Sequence, residues 1–382
     1  MAIAYPFVEI SLDRTGLQPV AQRAPGVLAV LGKSSSGTAT KNDPVAVEDA
    51  AGAKGLFGSG TDLTQALNAA FLQNPAPSKI YGVKVDGNDW ASALTAIEAT
   101  DDVTFVALAG VPVKITGAAT QNDPIVALKA HCEQQSAAGN KRIGVAAIDP
   151  GHTKKANYTA DVIGRATGLK SSEGRMVLIA ARGAEADGGG VAEVAAAAAS
   201  AIAGQAPATS MVLKKIKGFQ LPLATQFGPT EIKELSTDGI IPIIDPSLIT
   251  GTSLHFAEGT TYTADETVKY IDVVRLLDDI EFRLKARLIG VIGDARITRT
   301  GLAAVIRRAS AVLDQVQSSG GITSYSISIP VYEALLKPEA TRTPGEAALI
   351  NDSRADRLVD MTIVVVIGPA IHRLRVALKP RF

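Results

Sequence analysis

Gly26, five apolar residues, Gly32-Lys33-Ser34: this run comes near to a phosphate-binding loop. Such a loop needs four residues between its glycines, so that successive N–H groups wrap one phosphate. Here Val27 occupies the position that requires glycine, so Val27 to Leu31 is expected to be a strand and residues 32–37 a flexible turn that binds no nucleotide. Gly55, Gly58 and Gly60, like the run Gly188-Gly189-Gly190, do not give the order GxGxxG between a strand and a helix and read as loops. His131, His152, His255 and His372 form no i, i+4 pair and no HExxH, which argues against a metal centre. Cys132 stands in no nucleophile motif, and no GxSxG elbow exists. Asp278, Asp279 and Glu281 on the long helix could be imagined as catalytic carboxylates. Arg275, Arg283, Lys285 and Arg287 surround them, however, so a salt-bridged helix surface facing solvent or another subunit is the default. No catalytic, cofactor-binding or metal residue is expected.

The elements that carry these residues follow two patterns. From Val27 to about Asp245, short β-rich runs alternate with Ala-rich helical stretches, which predicts a parallel sheet covered by helices. Strands are expected at 27–31, 80–85, 103–108, 143–148, 176–180 and 240–244, and helices at 63–72, 90–99, 124–135, 160–169 and 191–202. After Pro246, Val273, Leu277, Ile280, Leu284 and Leu288 place one apolar stripe on a long helix from about Asp265 to Ile289. Residues 300–316 read as a second amphipathic helix, 322–329 as a strand and 338–344 as a loop. Met361 to Ile367 is a continuous apolar run, expected to be a strand buried on both faces. Beyond Gly368-Pro369 the chain alternates: Leu374, Val376 and Leu378 oppose Arg373, Arg375 and Lys379, with Ile371 opening the segment, as in a half-buried strand. At the other end, Ile3, Tyr5, Phe7, Val8 and Ile10 make Met1 to Leu12 too hydrophobic for a disordered tail, so it needs a partner surface.

Lys+Arg and Asp+Glu are both 38 in 382 residues, so no global charge draws the chain to nucleic acid or to an anionic membrane. The lone cysteine fits assembly in a reducing cytoplasm. There is no signal-peptide pattern at Met1 to Ile10 and no stretch near the roughly 18 apolar residues of a membrane span. With 46% hydrophobic residues but 4% aromatics, the core must be built from Ala, Val, Ile and Leu.

Four segments in order resemble the contractile tail sheath family shared by myophages, R-type bacteriocins and extracellular injection systems. They are Ala24-Pro25-Gly26-Val27, residues 270–280 with the core Arg275-Leu276, the turn Gly320-Gly321-Ile322-Thr323-Ser324-Tyr325, and the ending Val364 to Leu378. The resemblance implies an α/β protein with four parts. These are an extended N-terminal arm (1–22), a layered, mostly parallel sheet domain lying outside (23–249), an α+β domain facing an inner tube (250–360), and a C-terminal strand and linking arm (361–382). It further implies subunits that polymerise helically around the tube and contract to drive it through a target envelope. The implied partners are other copies, the inner tube protein, and baseplate and tail terminator proteins, in a virion tail or injection particle assembled in the bacterial cytoplasm. The arms would add strands to neighbours, and Arg275, Asp278, Asp279, Arg283 and Arg287 would contact a subunit or the tube. Two rivals remain: a nucleotide- or cofactor-binding α/β enzyme, and another tail or shell assembly protein.

Overall fold

A computed structural model describes residues 26–187, 189–251 and 253–373. Contacts divide these into two units, residues 26–279 with 367–373, and Ile280–Val366.

The larger unit is built on eleven strands. They are β1 (Val27–Lys33), β2 (Pro44–Val47), β3 (Lys79–Val85), β4 (Phe105–Leu108), β5 (Ile143–Ala147), β6 (Met176–Ala180), β7 (Glu185–Ala186), β8 (Lys215–Ile216), β9 (Phe219–Gln220), β10 (Ile240–Ile244) and β11 (Leu254–Phe256). Nine form one sheet in the order β2-β3-β1-β4-β5-β6-β10-β11-β8, while β7 and β9 pair separately. The central run from β3 to β10 is parallel, and β2, β11 and β8 add antiparallel edges. All six strands expected from sequence are present, within two residues at each end. The edge strands were not foreseen, because two- to four-residue runs carry too little period-2 signal.

Alternation splits each strand between two cores. On β1, Leu28 and Val30 join one cluster and Val27, Ala29 and Leu31 the other. Helices α1 (Ala50–Phe57), α2 (Asp62–Phe71) and α6 (Val194–Gly204) contribute to the first core. The second takes α3 (Trp90–Ala96), α4 (Asp123–Ala137), α5 (Tyr158–Ala166) and, through Leu235, α7 (Pro229–Asp238). Every residue of α6 is buried. Its alanines allow very close approach: a methyl group on Gly26 would lie 2.4 Å from the carbonyl oxygen of Ala203.

Helix α8 (Ile271–Leu288) begins in the larger unit and ends in the smaller one. It starts later than the expected Asp265, because Asp265 accepts the Thr267 N–H and opens a separate 3₁₀ turn at Glu266–Val268. The smaller unit contains α9 (Arg299–Ser318), β12 (Ile322–Ser328), α10 (Pro330–Leu336), α11 (Pro344–Asp356) and β13 (Thr362–Ile367), with β12 and β13 paired as a two-stranded sheet. Thr298 caps α9, and Thr343 with Glu346 forms a capping box that starts α11. Leu302, Ile329, Val331, Leu335 and Ile350 form its core.

One expectation is corrected here. β13 is not buried on both faces: Thr362, Val364 and Val366 are exposed and Ile363, Val365 and Ile367 half-buried. A continuous apolar run suits a central strand, but β13 has a single strand neighbour among the described residues.

Candidate assembly surfaces

The near-miss phosphate loop is a strand. Gly26 sits against α6, and Gly32 packs on Ala109 and Leu63, so neither glycine belongs to a loop open to a ligand. Ser34 donates to the carbonyl oxygens of Ser36 and Phe57, closing the turn on itself.

In parallel α/β sheets, ligands bind outside the carboxyl ends of the strands. A cavity of ≈ 270 Å³ lies there, beyond β4 and β5, lined by Asp62, Gly110, Lys114, Asp149 and Glu193 among others. Its donors are already in use. Both carboxylate oxygens of Glu193 accept the Gly110 N–H, at 3.2 and 3.1 Å, and Lys114 Nζ lies 2.6 Å from Asp149 Oδ2. Burial pushes the Glu193 carboxyl up to about 7, and the neighbouring Asp62 charge pushes in the same direction against the Gly110 hydrogen bond. Asp62 and Glu193 thus fill the space about Gly110 that a phosphate would take in a nucleotide-binding protein, and the Gly110 N–H is already engaged.

The histidines sit apart. His131 is buried against the Arg142 guanidinium at 2.8 Å, and burial followed by that positive charge lowers it to about 4. His152 accepts the Ile115 N–H, and His255 lies in β11. Burial pushes the Cys132 thiol up to about 12, far from a nucleophile's range. Among the described residues, no group of three His, Cys, Asp or Glu could hold a metal ion. Nor is any described helix long and apolar enough to cross a membrane.

The residues singled out on α8 fall into two groups. Asp278 is buried in a bidentate pair with Arg175, at 2.6 and 3.0 Å, and Arg275 is buried with its guanidinium 2.7 Å from the Gln205 carbonyl and over the Phe105 ring. Asp279 is buried as well. These three lie inside the chain's own fold, so their expected place on a solvated or subunit-facing surface is corrected. The cause is invisible locally: Arg175 is 103 residues away in sequence. Arg283 and Arg287 are half-buried in the smaller unit.

No protein-family model matches the sequence, and no curated protein matches it. Solved structures do. The sheath complex of the PVC extracellular contractile injection system, in its contracted state, superposes with a TM-score of 0.72 at 14% identity, covering 99% of this chain and 98% of that one. The helical sheath of the anti-feeding prophage, also contracted, gives 0.68 at 14% identity over 99% of both chains. A sheath tail protein from Desulfitobacterium hafniense gives 0.60 at 11% identity, over 84% of this chain and 93% of that one. The chain has the contractile-sheath fold.

Within that sheath fold, the expected arm residues Ile3, Tyr5, Phe7, Val8, Ile10, Leu374, Arg375, Val376 and Leu378 lie outside the described residues. Of the C-terminal arm, Ile371 is exposed, while Arg373 pairs with Glu258 at 2.8 Å. Two further surfaces are exposed. The exposed side of β13, with Val364 and Val366, is one. The other is a basic stretch along the end of α8 and the first half of α9, where Lys285, Arg296, Arg299, Arg307 and Arg308 are exposed and Glu281 and Asp294 are the only acids between residues 281 and 308. Counting charge along residues 281–308 would have found it; averaging to zero over the chain hid it.

Proposed function

We propose that the chain is a structural subunit of a contractile sheath, which polymerises helically around an inner tube and shortens to drive that tube through a target envelope. The superposition on sheath structures along almost the whole chain carries this reading. The chemistry of the sheet supports it, since the crevice that would serve an α/β enzyme presents Glu193 and Asp62 where an anionic substrate would need donors. Its partners are copies of itself, an inner tube protein, and baseplate and terminator proteins. The basic stretch along residues 283–308, including Arg283 and Arg287, suits an acidic tube surface, and the edge of β13 that no described strand occupies suits strands brought by neighbouring arms, through Met1 to Leu12 and the segment after Ile371.

Electron microscopy of the purified protein tests this. Long tubes with a wide lumen are expected. A monodisperse monomer at high concentration, with micromolar nucleotide binding by equilibrium dialysis, would instead favour the enzyme.

A further inference from the structure

The chain re-enters the larger unit at Ile367, and among the described residues beyond it His372 and Arg373 make side-chain contacts with that unit. Arg373 donates to Glu258 Oε1 at 2.8 Å; its own side chain is 80% exposed, but that of Glu258 is only 13% exposed. His372 Nε2 lies 2.8 Å from Ser210 Oγ, and its ring stands edge-on to Tyr270 with centroids 5.1 Å apart. Ser210 Oγ also accepts the Val212 N–H, and on the other side of the ring His372 Nδ1 lies 4.0 Å from Glu258 Oε2. One half-buried carboxylate thus faces both arm residues.

The receiving residues are held in place without the arm. The Ile271 N–H bonds to the Gly259 carbonyl at 3.0 Å and Thr260 bridges to Tyr270, which fixes Glu258 and Tyr270 side by side. By contrast, residues 368–373 have no strand ladder of their own, and Pro369 has no N–H to offer one. A cavity of ≈ 230 Å³ between Tyr270, Asp272 and Pro369 opens beside His372.

We infer that Ser210, Glu258 and Tyr270 form a clamp that seats His372 and Arg373, fixing the point at which the chain departs toward residues 374–382. The clamp is a property of the single chain. Its consequence for assembly, that it sets where a linking segment leaves its parent subunit, rests on the sheath reading.

Trypsin tests the clamp in the intact, unassembled protein, because cutting after Arg373 requires residues 370–373 to leave their seat and enter the protease. Mass spectrometry follows the Arg373–Leu374 bond. Glu258→Gln removes the charge that both arm residues face and is expected to speed this cut about fivefold, the scale of an exposed ion pair, with an unchanged melting temperature. Ser210→Ala leaves the Arg373 pair in place and should give a smaller increase; it carries the test if Glu258→Gln lowers the melting temperature. Cleavage at the wild-type rate in both variants overturns the clamp. Loss of protection with no tubes from the wild-type protein would instead leave the clamp standing and count against the sheath reading.

Discussion

Glu193 holds its carboxyl group where charge is costly. Its folded value of about 7 exceeds the ordinary 4.5, so between these values the folded chain binds more protons than the unfolded one and stability falls as pH rises. Below the window both states are protonated and the penalty vanishes; above it the penalty is complete. Glu193→Gln should flatten that slope, measured by urea unfolding at pH 5 and pH 8. An equal slope in both proteins would mean that the crevice is wetter than its geometry indicates. Asp278 makes the opposite case, a charge whose partner is already present. Removing it in Asp278→Ala leaves Arg175 buried and unpaired, which should cost about 3–5 kcal/mol in denaturant unfolding. Replacing both partners by apolar residues should recover much of that loss. Double reversal of Asp278 and Asp279 to lysine is therefore expected to act first on folding, and only through folding on assembly.

Among the elements, β13 shows both the reach and the limit of sequence patterning. Its existence and nearly its ends were legible in the run from Met361 to Ile367, but its surroundings were not, since apolar character says that a face must be covered and not by what. The same division runs through the chain. Strands β1 and β6 were readable as short apolar runs between Gly, Pro or charged residues, and helix α2 by its amphipathic period, whereas α10 and α11 begin at Pro330 and Pro344, where proline suits a helix's first turn, and carry little periodic signal of their own. The buried role of Arg275 and Asp278 depended on residues far away in sequence and could not be read from the helix alone. For β13 the expectation is specific. Val364 is 55% exposed, so Val364→Asp should lower the stability of the unassembled protein by no more than about 1 kcal/mol. Yet it should abolish tubes in micrographs, because a carboxylate would be forced into an apolar contact. Normal tubes from this variant would show that the face of β13 stays in water.

Folding and assembly of this chain are expected to be separable. The fold class was legible because it depends on element order, and the candidate surfaces were legible only in part, because surfaces depend on what is left uncovered. Deleting Leu374–Phe382 removes nothing from the described cores, and the truncated protein should unfold cooperatively near the wild-type melting temperature while forming no tubes. Calorimetry and microscopy on the same preparation decide this, and tubes from the truncated protein would show that the C-terminal segment is dispensable. The alanine-packed helix α6 bears on how such a molecule would carry load. Side chains that end at Cβ have no rotamers to change, and with the Gly26 backbone in contact beneath it, this layer offers little free volume to compress. Pressed or twisted from outside, the larger unit would behave as a stiff layer that passes stress to its margins, so in the sheath proposed above deformation would fall on the connecting segments while the sheet keeps its shape.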